Sequence, residues 1–151
     1  IQTFVIRTIQ TFAQTSSSFI DNIPIGDNAS FYLYYNDTDH LGQLIPYANV
    51  SISWDPGYYS IIDFGNGTYL IELNTTVGSV GPYSLQVDVG LPPHYDSRTV
   101  YVNINIVTIL LTIHIEEPTA TQIRVEYNTP ILLTVNVPDS HGNPISDAIV
   151  E

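Results

Sequence analysis

The stretch Asp39-His-Leu-Gly-Gln-Leu-Ile-Pro-Tyr-Ala-Asn-Val50 decides the fold, because the chain contains it twice. One hundred positions later it reads Asp139-Ser-His-Gly-Asn-Pro-Ile-Ser-Asp-Ala-Ile-Val150. Asp39, Gly42, Ile45, Ala48 and Val50 fall on Asp139, Gly142, Ile145, Ala148 and Val150 without a gap. The same offset pairs Ile23 with Ile123, Asn28 with Asn128, Leu33 with Leu133 and Asn36 with Asn136. Self-similarity at a fixed long period is the mark of a repeat array, and here it amounts to about one and a half copies of one unit.

Within the repeated stretch, Gly42 and Gly142 stand in polar surroundings between apolar runs, where glycine relieves the cost of positive φ. Both therefore read as loop tips. Pro46, or Pro144 in the second copy, keeps the chain extended and removes a donor, which suits the start of an edge strand. Ala48, Val50, Ile52 and Trp54 then alternate with Asn49, Ser51 and Ser53, the period of a half-buried strand.

Working outward, Ile1 to Ala13 pairs at the same offset with Tyr101 to Ile113 and reads as the end of one unit running into the first strand of the next. Ile23 and Ile25 lead into a second strand through Phe31, Leu33 and Tyr35. Asp55-Pro-Gly57 is a turn followed by a short apolar run at Ile61 and Ile62. The pair Asn66-Gly67 predicts a hairpin turn with positive φ at both central positions. Strands follow through Tyr69, Ile71 and Leu73, through Tyr83, Leu85, Val87 and Val89, and through Val100, Val102, Ile104 and Ile106. Seven strand-like segments with turn chemistry between them and no helical period predict an all-β sandwich.

The run from Thr99 to Ile115 exceeds an ordinary strand, so it is read as the closing strand of one unit passing almost directly into the opening strand of the next. The expected organisation is residues 1–7 as the end of a preceding repeat or a leading strand, 8–107 as a complete sandwich, and 108–151 as the first half of a second. Such a half leaves Ile131, Leu132, Leu133, Val135 and Val137 without an opposing sheet. Either the sequence is a window of a longer protein, or a neighbouring chain supplies the missing strands.

The chain has 151 residues, 44% of them hydrophobic, enough for one full core. Its only bases are Arg7, Arg98 and Arg124 against fifteen acids, a formal charge of −12. That charge argues against nucleic acid and anionic membrane surfaces as partners. Without cysteine there is no disulfide or thiolate metal site. No stretch approaches the roughly 20 apolar residues of a spanning helix.

These residues resemble the immunoglobulin-like repeats of prokaryotic, particularly archaeal, cell-surface and extracellular filament proteins. The resemblance covers about residues 8 to 107 and again 108 to 151. It rests on D-x-x-G-x-P-I-x-x-A-x-V at Asp139 to Val150, on G-N-G-T-Y at Gly65 to Tyr69, and on G-P-Y-S-L-Q-V at Gly81 to Val87. In the first copy the proline and isoleucine are inverted, as Ile45-Pro46. The resemblance implies tandem antiparallel sandwiches in which Tyr83 opens the penultimate strand and bonds back to the backbone, while Trp54 on the third strand fills the core. The cysteine pair of antibody domains is missing.

Five N-x-S/T acceptors occur, at Asn28, Asn36, Asn49, Asn66 and Asn74, where this composition gives roughly two by chance. All five are expected on strand ends, turn tips or solvent faces, as an attached glycan requires. The blander reading is that asparagine favours turns. Acidic pairs at Asp37 and Asp39, and at Glu116 and Glu117, are the calcium candidates, although neither completes a calcium loop and two carboxylates are usually a solvated loop. No other cofactor is expected.

Among eleven tyrosines, Tyr32 and Tyr34 make one strand aromatic on both faces, suiting subunit packing or stacking on sugar rings. His40, His94, His114 and His141 have no ligand spacing, and no nucleophile motif occurs, so catalysis is not expected. The sequence thus predicts a structural component of a filament, sheath or surface layer that self-associates by strand pairing. The alternative is a carbohydrate-binding or adhesin stalk module.

Overall fold

The computed structural model describes residues 7–109, 114–117, 134–139 and 142–145, with 114–117 described by their backbone. The chain divides into two compact units, 1–108 and 109–151.

The first unit is a sandwich of two sheets. One carries β1 (Thr11–Thr15), β3 (Asn28–Asp37), β7 (Thr68–Asn74) and β6 (Tyr59–Asp63) in that order, with the short β4 (Gln43–Leu44) also on β3. The other carries β2 (Phe19–Pro24), β9 (Arg98–Val107), β8 (Gly81–Gly90) and β5 (Asn49–Ile52). Alternation sets which residues face inward. Phe31, Leu33 and Tyr35 of β3 and Tyr69, Ile71 and Leu73 of β7 meet Leu85, Val87 and Val89 of β8 and Val102, Ile104 and Ile106 of β9, all buried. Each such aliphatic side chain stabilises the fold by roughly 1.5–3 kcal/mol relative to exposure.

Two of the buried aromatics carry hydroxyls, and a buried hydroxyl needs a partner. Tyr69 donates to the Ile45 carbonyl at 2.9 Å and accepts the Ala48 N–H at 2.9 Å. Those two bonds clamp the connection from β4 to β5 across Tyr47, a non-glycine residue at φ +61°. Tyr35 donates to the Asp96 carbonyl. Burial pushes both phenols above their ordinary range, because the charged form loses its hydration.

Several expectations need correction. The segment before Phe31 is not a simple lead-in: β2 is a separate strand in the opposite sheet, parallel to β9 through Phe19–Asn103 and Ile20–Ile104. The switch falls at Ser16–Ser18, and a turn with Gly26 at φ +94° then returns the chain to β3. The third strand ends at Ile52 rather than Trp54. The Ser53 hydroxyl accepts the Gln86 N–H at 2.8 Å, and Asp55 caps the 3-10 turn Pro56–Tyr58. In the β6–β7 hairpin, positive φ falls on Gly65 (+71°) and Gly67 (+82°), with Asn66 between them. The Asn66 side-chain oxygen accepts the Thr68 N–H at 3.0 Å, closing the turn without a left-handed asparagine.

In the second unit, β10 (His114–Glu117) pairs antiparallel with β11 (Thr134–Asn136). Among the described residues of the repeated stretch, the glycines match. Gly42 and Gly142 stand at φ +76° and +82°, and the isoleucine after each donates its N–H back across the hairpin, Ile45 to Tyr35 and Ile145 to Val137. Ile45 is 3% exposed, whereas Ile145 is 36% exposed. Residues 131–133, for which an unopposed apolar face is expected, lie outside the described residues.

Candidate interaction surface

The two outer faces of the first unit differ in chemistry. That of the β2-β9-β8-β5 sheet presents Ser51, Ser84, Asp88, Thr99, Asn103 and Asn105, together with exposed Tyr101 and Phe19. On the β1-β3-β7-β6 sheet the register brings apolar side chains from four strands together. Tyr32 lies opposite Leu70, which lies opposite Ile62, and all three point outward. Tyr34 lies opposite Gln14 and Thr68 one row on, and Phe12 follows opposite Asn36. The rings of Tyr32 and Tyr34 stack with centroids 6.5 Å apart, and Phe64, from the hairpin tip, packs on Tyr32 at 6.4 Å. Phe12, Tyr32, Ile62 and Phe64 are each 41–52% exposed. Of this strip the sequence marks only Tyr32 and Tyr34; the others are joined to it by strand register, which alternation within a single strand does not contain.

The asparagines divide as well. Asn28, Asn49 and Asn66 are exposed, at the start of β3, the start of β5 and the hairpin tip. Asn36 and Asn74 are half-buried, which corrects the expectation that all five acceptors are exposed. Asn36 is flanked by Phe12 and Leu44 on neighbouring strands, and its side-chain oxygen is buried without a partner. Asn74 ends β7 and caps the following 3-10 turn, accepting the Thr76 N–H at 2.8 Å.

The acids of the repeated loop work locally. Buried Asp37 accepts the N–H groups of Asp39 and His40 and pairs with the His40 ring at 2.7 Å. Asp39 takes both arms of the Arg7 guanidinium at 2.9 and 3.1 Å and the Gln10 N–H at 3.0 Å. The Arg7 hydrogen bond holds the Asp39 carboxyl below the usual carboxylate range and raises Arg7 in turn. These oxygens thus shape the hairpin and tie the incoming chain to it. Glu116 and Glu117 lie on β10, in the other unit. Among the described residues no three His, Cys, Asp or Glu side chains gather as metal ligands.

At the opposite end of the sandwich the Tyr83 hydroxyl donates to the Ser79 carbonyl at 3.0 Å and accepts the Ser79 N–H at 2.7 Å. Its hydrogen bond with the Ser79 side chain lowers the phenol below its ordinary range. The Trp54 ring meets Tyr83 edge-on at 5.4 Å, and its indole N–H donates to the Asn74 carbonyl at 3.1 Å. Trp54 is half-buried at the end of the core, just past β5, rather than on a strand through its centre. Gly42 and Gly142 have open space around them.

The two ends of the unit are also where the chain passes. Arg7 and Thr8 lie against Asp39 and Asp96, beside the start of β9. Val107 closes β9 at the far end, where its carbonyl accepts the Ile25 N–H. The chain therefore enters at one end of the sandwich and leaves at the other.

With β1, β3, β7 and β6 in one sheet, and β5, β8 and β9 in the other beside an added β2, the strand order is that of an immunoglobulin-like sandwich. No protein-family model matches the sequence, and no curated protein matches it. Among solved structures the chain is similar to domains 4 and 5 of the S-layer protein SbsC, at TM-score 0.49 and 19% identity over 64% of this chain and 51% of that one. It is similar to the tandem Ig repeats of Dlar, at TM-score 0.46 and 10% identity over 67% and 53% of the two chains. An endo-fucoidan hydrolase of glycoside hydrolase family 107 aligns at TM-score 0.46 and 13% identity, over 65% of this chain and 14% of that one. The chain thus spans about half or less of these matched chains. These likenesses say nothing beyond the general fold, which the strand order already defines.

Proposed function

We propose that the chain is a structural module of an extracellular or cell-surface assembly, built from immunoglobulin-like sandwiches joined end to end. The observation that carries this reading is the passage of the chain through the unit, in beside Asp39 and Asp96 and out beyond Val107 at the far end. A sandwich threaded in this way extends when repeated, and the sequence does repeat, with Asp39 to Val50 returning at Asp139 to Val150. Each unit adds length and presents its outer faces to neighbours, while the acidic exterior keeps the array soluble. Asn28, Asn49 and Asn66 are the acceptors free to carry N-linked sugars.

Electron microscopy of the purified native material tests the reading. Linear particles with a regular axial repeat support it; compact particles without extension refute it. A second reading, a sugar-binding surface module, is favoured by the ring cluster of Tyr32, Tyr34 and Phe64. It requires glycan binding that is lost in Tyr32→Ala or Tyr34→Ala.

A further inference from the structure

The strip formed by Phe12, Tyr32, Tyr34, Ile62, Phe64 and Leu70 contains no charged side chain, on a chain whose net charge is −12. Its outward neighbours Gln14, Ser16 and Thr68 are neutral. Acids stand at its borders: Glu72 one row beyond Leu70, Asp63 beside Phe64, and Asp39 and Asp96 on Gln10, beyond Phe12. An uncharged apolar centre with a polar rim is the anatomy of a protein interface. We infer that the strip docks on the same strip of a second copy of this chain, so that neighbouring sandwiches associate side by side through their β1-β3-β7-β6 sheets. The inference rests on the structural reading above and names the surface through which its copies meet.

Charge selects this occupant. Two copies repel wherever their acids face each other, and the strip is where they approach with least repulsion. A polyanionic partner is repelled by the whole molecule, and a cationic partner is drawn to the acids rather than to the strip. An uncharged apolar surface demands the same in return, and the strip meets that demand in a second copy.

The area sets the strength. Phe12, Tyr32, Ile62 and Phe64 at 41–52% exposure offer on the order of 400 Å² of apolar surface. A stable dimer needs about 800 Å² per partner. One pair of strips is therefore a weak contact. A chain carrying one such strip is expected to stay single when dilute and to pair at high concentration.

Sedimentation equilibrium of the full chain at high protein concentration, in low and high sodium chloride, tests the proposal. Raising the salt from about 0.01 to about 0.1 M shortens the Debye length from roughly 30 to roughly 10 Å, so self-association is expected to strengthen. The double variant Tyr32→Ser/Phe64→Ser is expected to weaken it at least about tenfold, as losing central aromatics does at other interfaces. Tyr101→Ser, which removes a still more exposed ring from the opposite outer face, leaves it unchanged. Because the chain has no cysteine, a single Gln14→Cys at the strip is the only thiol. It is expected to crosslink between copies with a short bis-maleimide, while Asn103→Cys on the other outer face does not.

Four results overturn the proposal: association untouched by the double variant, association that weakens with salt, monomers at every concentration, or neutral oligosaccharide binding the strip without self-association. Linear particles seen by microscopy alongside any of these leave the end-to-end reading standing and remove only the lateral contact.

Discussion

Gly67→Ala is a substitution whose cost follows directly from the packing. Gly67 is buried at φ +82°, and an added Cβ would lie 2.6 Å from the Ile45 nitrogen, 2.7 Å from the Leu44 Cβ and 2.8 Å from the Leu44 carbonyl carbon. Two of those three atoms are backbone and cannot rotate away. The left-handed backbone alone costs an alanine roughly 1–2 kcal/mol. Relieving the clash moves Leu44–Ile45 away from the hairpin. That move strains the bonds from Tyr35 N–H to the Gly67 carbonyl at 3.2 Å and from Ile45 N–H to the Tyr35 carbonyl at 2.8 Å, each worth about 1 kcal/mol. The total is about 3–4 kcal/mol out of the 5–15 typical of a domain.

Gly42→Ala is the matched control, since Gly42 has nearly the same φ, +76°, and nothing within 4 Å of its Cβ position. It carries the backbone term alone, about 1–2 kcal/mol. Denaturant unfolding of the two variants beside the parent measures the difference. Gly67→Ala is expected to shift the midpoint at least about twice as far as Gly42→Ala, with an unchanged slope. Equal shifts would refute the claim that Leu44 and Ile45 close over the hairpin.

Tyr83→Phe keeps the ring against Trp54 but removes the hydroxyl bound to Ser79, and is expected to lower the unfolding midpoint in the same assay by less than Gly67→Ala does. Raising the pH tests the buried phenols: Tyr35 and Tyr69 have folded pKa values above the ordinary range, so the unfolded state loses their protons first. Stability is then full below about pH 10 and falls as pH rises beyond it, and in a phenolate absorbance titration these two tyrosines are expected to ionise above the ordinary range. Peptide mapping of native material by mass spectrometry is expected to find sugars on Asn28, Asn49 or Asn66 and none on Asn36, where attachment would disturb the contact with Phe12 and Leu44.

The sequence carried the core because alternation is local. Phe31, Leu33 and Tyr35, or Val102, Ile104 and Ile106, mark their inward face within a few residues, and all of them are buried. What it did not carry depends on partners far along the chain. The switch of sheets between β1 and β2 is decided by the pairing of Phe19 with Asn103, more than eighty positions away. The half-burial of Asn36 comes from β1 and β4 on either side, and the strip around Tyr32 exists only once four strands are in register. Gly67 looked like one half of a turn pair; it is also the point where the repeated stretch, at Leu44 and Ile45, meets the hairpin.

An end-to-end array requires the chain to cross the sandwich from one end to the other, and a distance measures that directly. Spin labels at Thr8→Cys and Thr108→Cys, in a chain with no other thiol, bracket the first unit and the ten residues of β9. A strand advances about 3.3 Å per residue, so a separation of roughly 35–40 Å is expected, and one under about 20 Å would mean that the chain leaves where it enters and contradict the end-to-end array.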